Sequence, residues 1–102
     1  MALQIRGTNY VIPGENGSAG PTGREIIEIE LAFGLDGLEL LGVLASDKPH
    51  PNAAYSKTKA MYAVAWICKT RAGEIVSIDD VLNQFSINEF MIVEDEKKDN
   101  PA

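Results

Sequence analysis

Ala53–Gly73, AAYSKTKAMYAVAWICKTRAG, is the stretch on which the reading of this chain turns. At its centre lies an unbroken apolar run of nine residues, Ala60–Cys68, with Lys57 and Lys59 before it and Lys69 and Arg71 after it. A helix with one apolar stripe is an ordinary surface helix. One that is apolar all round must be covered on every side, by its own domain or by a partner. The pattern predicts a long central helix from about Ala53 to Ala72, capped by Gly73, with Lys69 and Arg71 complementing the dipole in its last turn. A chain of 102 residues has little else with which to cover such a helix, and that imbalance points to a binding protein.

The rest of the composition sets limits. A chain of this length is one domain, and its 45% hydrophobic and 24% charged content is that of a globular protein. The net charge of −6 argues against a nucleic-acid binder, which needs a basic surface to displace counterions from phosphate. The charge is also unevenly placed. Residues 22–50 carry a net −4, residues 51–73 a net +4 with no acid at all, and residues 74–102 a net −6. A basic central helix between acidic segments can dock on its neighbours or present a basic patch to an acidic partner. Cys68 is the only cysteine, which excludes an internal disulfide and fits a reducing compartment. The opening MALQIRGTNYVI lacks the features of a signal peptide, and nine apolar residues fall short of the roughly 20 needed to cross a bilayer. The expectation is a cytosolic protein with no membrane partner.

Outward from the central helix, the chain divides cleanly. Leu3–Arg6 alternates apolar and polar, Asn9–Ile12 is β-prone, and Gly7-Thr8 between them suits a hairpin with a type II′ turn at Gly7. The hairpin is expected over residues 1–13. Residues 13–21, rich in Gly, Pro and Asn, read as a flexible loop. Thr22-Gly-Arg-Glu25 has capping-box spacing and opens a helix, GREIIEIELAF, with Ile26, Ile29 and Phe33 on one face and Gly34 as its stop. Asp36 starts a second, nearly continuous apolar segment, LELLGVLA, which Pro49 and Pro51 separate from the central helix. Ser77-Ile-Asp-Asp80 opens a fourth helix that turns Ile78, Val81, Leu82 and Phe85 inward. Residues 86–93 fit either a further helical turn or a last strand, because short apolar runs are ambiguous. Residues 94–102, EDEKKDNPA, have nothing apolar to bury and are expected to be a disordered acidic tail. The fold class is thus mainly α (α+β): a single helical domain over residues 1–93, with about four helices and a short N-terminal β-hairpin.

Catalytic chemistry is hard to build from these residues. His50, the only histidine, lies in the rigid turn Pro49-His50-Pro51, where a surface role is the ordinary one. Cys68 sits in the apolar run, where its thiol is a small hydrophobe and a poor nucleophile. Gly14, Gly17, Gly20 and Gly23 recur every three residues, which is neither a dinucleotide fingerprint nor a phosphate loop. No catalytic, metal-binding or cofactor-binding residue is therefore assigned. The Phe33–Leu40 stretch, FGLDGLEL, has a superficial likeness to the modification site of acyl carrier proteins. The serine that carries phosphopantetheine there corresponds to Gly37, which has no hydroxyl to modify.

From Thr22 onward, over about three-quarters of the chain, the order of segments resembles the small tail assembly chaperones of long-tailed bacteriophages, those of actinobacterial phages above all. The resemblance is carried by REIIEIELAFGLDGLELL, by AAYSKTKAMYAVAWICKTRAGEIVSIDDVLNQFSINEF, and by the acidic VEDEKKD. It implies a non-enzymatic protein that binds and solubilises the tape measure protein before the tail tube polymerises around it. The major tail protein and further copies of the chain are additional partners it admits. The same resemblance implies residence in the host cytoplasm and absence from the finished virion. It also implies a second, frameshifted product, for which an A-rich codon run at Glu96-Lys97-Lys98 would be the slippery site.

Such a chaperone needs an apolar groove for helical segments. Leu38, Leu40, Leu41 and Leu44 on the second helix, with Met61, Tyr62, Ala65 and Trp66 on the central one, are the candidate lining. Most of these are ordinary core types, and Tyr62 and Trp66 are the two most expected to escape the core. Lys57, Lys59, Lys69 and Arg71 are read as solvated charges able to steer an acidic partner. The competing readings are a structural tail or head–tail connector component of the virion and a small acidic adaptor of antitoxin type.

Overall fold

The computed structural model describes residues 2–15 and 17–93. Strands β1 (Ala2–Ile5) and β2 (Thr8–Val11) pair antiparallel around the two-residue loop Arg6-Gly7. Both loop residues have positive φ, 50° and 86°. The turn is therefore type I′, placed one residue earlier than the type II′ turn expected at Gly7-Thr8, because I′ geometry matches the twist of the strands it joins. Arg6 is held in this conformation by side-chain contacts. Its Nε donates to Glu89 Oε2 at 2.6 Å, its Nη2 donates to the Gln84 carbonyl at 2.8 Å, and its guanidinium lies 4.4 Å from the centre of the Phe85 ring.

The four expected helices follow, with starts set by local caps. Helix α1 (Gly23–Phe33) begins at the Thr22–Glu25 capping box and stops at Gly34 in the left-handed region. Helix α2 (Gly37–Gly42) is capped by Asp36 and continues as a 3₁₀ turn over Val43–Ala45. Helix α3 (Lys57–Arg71) starts one turn later than the expected Ala53, because the Ser56 hydroxyl accepts the Lys59 N–H while Asn52 holds Ala54 and Tyr55 in a turn. Helix α4 (Ile78–Gln84) opens at a Ser77–Asp80 capping box. The ambiguous segment forms both alternatives in succession: a 3₁₀ turn at Ile87–Glu89, then strand β3 (Phe90–Val93).

Strand β3 pairs antiparallel with β1, so the sheet order is β2-β1-β3 and the first strand is the central one. In this register Leu3 faces Tyr10 on one side and Ile92 on the other, so these three side chains share the face that looks toward the helices. Leu3, Ile29, Leu40, Ile67 and Val81 are the largest fully enclosed side chains. Each contributes about 1.5–3 kcal/mol through burial. Helix α3 runs through the middle, against α2, α4, the 3₁₀ turn after α2, β1 and β2. Its apolar surface is thereby covered by the chain itself except on the side of Met61 and Val64, which are only partly buried.

Residues 13–21, expected to be a flexible loop, are tied down where they are described. The Glu15 N–H donates to the Ile12 carbonyl at 2.9 Å, and Gly14 N–H to the Ala19 carbonyl at 3.1 Å. Arg71 donates to the Ala19 and Gly20 carbonyls at 2.7 and 2.8 Å. The expected acidic tail, residues 94–102, lies outside the described residues, and with it Glu96-Lys97-Lys98.

Candidate protein-binding groove

The face of the sheet toward the helices is not completely covered. Leu3 and Tyr10 are buried, yet Ile92 beside them is 45% exposed. The space in front of it is an open groove of about 480 Å³. Helix α3 contributes Met61, Val64 and Ile67 at three-residue spacing, which places them along one side of the helix. Leu41, Leu44 and Ala45 line it from α2 and the turn that follows. Ile12, Pro13 and Pro21 line it from the segment between β2 and α1, and Glu15 is its one ionisable group. Catalysis needs converging polar groups of matched pKa. A lining so nearly all apolar is suited to receiving aliphatic side chains.

The candidate residues divide between this groove, the core and the rim. Leu41 and Met61 line the groove, as does Leu44. Leu38 is 68% exposed on α2 but outside the lining. Leu40 and Ala65 are fully buried, and Tyr62 and Trp66 are only 7% and 9% exposed. The expectation that these two aromatics escape the core is therefore corrected. The reason lies in their polar tips, which both find carbonyls inside the domain. The Tyr62 hydroxyl donates to Phe85 O at 2.6 Å and its ring meets Phe90 edge-on at 4.9 Å. The Trp66 indole N–H donates to Val76 O at 3.0 Å.

The four cations also divide. Lys69 is buried, and its ammonium reaches Glu74 Oε1 at 2.9 Å and the Tyr10 hydroxyl at 3.3 Å. Burial alone lowers its pKa, but the hydrogen bonds to Glu74 and Tyr10 outweigh this and leave it above the ordinary lysine value. Tyr10 in turn donates to Glu74 Oε2 at 2.6 Å, and it and Lys69 hold the Glu74 carboxyl below its usual range. Arg71 makes a two-pronged pair with Glu25, at 2.9 and 2.8 Å, in addition to its bonds to Ala19 and Gly20. That pairing, with the Thr22 backbone N–H, depresses the Glu25 carboxyl. Neither Lys69 nor Arg71 is a free solvated charge, then; both are internal ties. Lys59 is half-buried and donates to the Ala54 carbonyl at 3.0 Å. Lys57 is exposed, one turn before Met61 on the same side of α3.

The remaining reactive types are engaged structurally. His50 Nδ1 accepts the Asn52 N–H at 2.9 Å, so its proton sits on Nε2, which contacts Glu39 at 2.9 Å. Its ring lies 4.5 Å from that of Tyr55. Burial pushes the Cys68 thiol up to about 11, leaving it protonated at neutral pH. Among the described residues there is no group of three or more metal-ligating side chains, and no helix long and apolar enough to cross a membrane.

Ile12, Pro13, Pro21, Val64 and Ile92 belong to the groove and were not singled out from sequence. Val64 lies inside the apolar run Ala60–Cys68, whereas the roles of the other four depend on strand register and on where the loop crosses, and only the apolar character of Phe90–Val93 points to one of them. No protein-family model matches the chain, and no curated protein or solved structure is significantly similar to it.

Proposed function

We propose that this protein is a non-enzymatic tail assembly chaperone whose apolar groove holds helical segments of a tape measure protein. It acts in the host cytoplasm and leaves before the particle is complete. The observation that carries this reading is the groove itself. Met61, Val64, Leu41, Leu44 and Ile92 are aliphatic or thioether side chains gathered around one open groove of the domain. A methionine in the lining adapts its shape to successive ligand side chains. The resemblance of its segment order to the phage chaperones supplies the kind of partner.

The test uses the full chain and helical fragments of the tape measure protein encoded in the same genome. An equimolar amount of the protein should suppress light scattering by an aggregating fragment. Met61→Glu, at a half-exposed position, should keep the melting temperature within a few degrees and abolish the suppression. Scattering unchanged by the wild-type protein would overturn the proposal. Recovery of the chain from purified virions would make it a structural tail component instead.

A further inference from the structure

We propose that the groove takes an amphipathic helix laid antiparallel to α3, with acidic residues at its C-terminal end held by Lys57 and Lys48. The inference rests on the groove reading above and adds the direction and charge of the segment that enters.

Met61 to Ile67 spans six residues of α3, or about 9 Å along its axis. A helical ligand matches that length with apolar side chains at i, i+3 or i+4, and i+7. Beyond Met61, the next position along the same side is Lys57. Lys57 and Lys48 line one depression next to Val43, at the end where α3 begins. Neither ammonium has a hydrogen bond or ion pair with any described residue. Against the two ammoniums, Asp47 is the one acid lining that depression, and Glu39 stands beside it through its 2.9 Å contact with His50. The N-terminus of α3 adds the positive end of a helix dipole there. A helix running antiparallel to α3 brings the negative end of its dipole, and any terminal carboxylates, onto Lys57 and Lys48. A parallel one brings its positive end to the same place.

The probes are fluorescently labelled synthetic helices of roughly 18 residues, about 27 Å long. Each has one leucine stripe in an Ala/Gln background. One carries three Glu in its last turn and the other three Lys there, and binding to the full-length protein is read by anisotropy. The Glu-ended probe should bind about tenfold tighter, the sum of two modest surface pairs and a dipole contact. Lys48→Glu/Lys57→Glu should reverse that order without altering the fold, and Met61→Glu should abolish binding of both probes. Equal binding of the two probes, or an order unchanged in the double variant, would overturn the charge and direction while leaving the groove reading intact. Binding that survives Met61→Glu would overturn both. Sedimentation velocity covers the remaining occupant. A mass that rises with concentration and falls on adding the probe would assign the groove to a second copy, and would also overturn the proposal.

Discussion

Trp66 shows how a side chain suited to a binding surface becomes a structural one. Its side chain is 9% exposed and its only donor is satisfied by Val76 O, so the indole serves packing, with one edge left at a depression beside Leu31. Trp66→Ala should destabilise the protein by about 3–5 kcal/mol, the usual cost of truncating a large buried aromatic. Thermal melting measures this directly. A variant that melts like the wild type would return Trp66 to the surface. Gly37 makes the complementary case, of a residue fixed by what it lacks. A Cβ there would come within 2.9 Å of Ile26 Cγ2 and 3.0 Å of the Ile26 carbonyl. The close crossing of α1 and α2 thus requires glycine at the position where a carrier protein would need a serine.

At the scale of elements, ion pairs bridge pieces that are far apart in the chain. Glu25–Arg71 fastens the start of α1 to the end of α3, and Lys69–Glu74 with Tyr10 fastens β2 to the loop after α3. Glu25, Glu74 and Glu89 all have carboxyl pKa values below the ordinary 4.5. A carboxylate lowered in the folded state contributes stability above its unfolded value and loses it as the pH falls through the lowered one. The melting temperature should therefore drop as the pH is taken below 4.5, and Glu25→Gln should start lower at pH 7 and show a flatter decline. Three helix starts were legible because capping is local, with Thr22, Asp36 and Ser77 each acting on a backbone group three residues away. The equally local cap of α3 at Ser56 was hidden within a longer run of helix-compatible residues. The pairing of β3 was not, since it depends on a strand almost the whole chain away. The groove was half legible. Leu41, Leu44 and Met61 follow from the apolar pattern of their helices, whereas Ile12 and Ile92 enter through register and loop path. Lys69 was misread for the same reason, because the partners that draw it inside come from β2 and from beyond Gly73.

For the molecule as a whole, an open apolar groove makes stability depend on its occupant. A ligand present at a hundred times its Kd stabilises the folded state by about 2.7 kcal/mol. In a domain of this size that should raise the melting temperature by roughly 10–20 °C. Differential scanning calorimetry with and without the Glu-ended probe measures the shift, and Met61→Glu should remove it. The sheet order carries a different consequence. Ala2 lies opposite both Val11 and Val93, so the central strand stands between a neighbour translated directly after it and one translated only after every helix of the domain. During synthesis the hairpin emerges early with one flank bare, and Leu3 and Ile5 gain full shelter only when Phe90–Val93 arrives. A nascent chain stalled before Phe90 would leave that flank as a template for stray strands, which ties correct maturation of the domain to the arrival of β3.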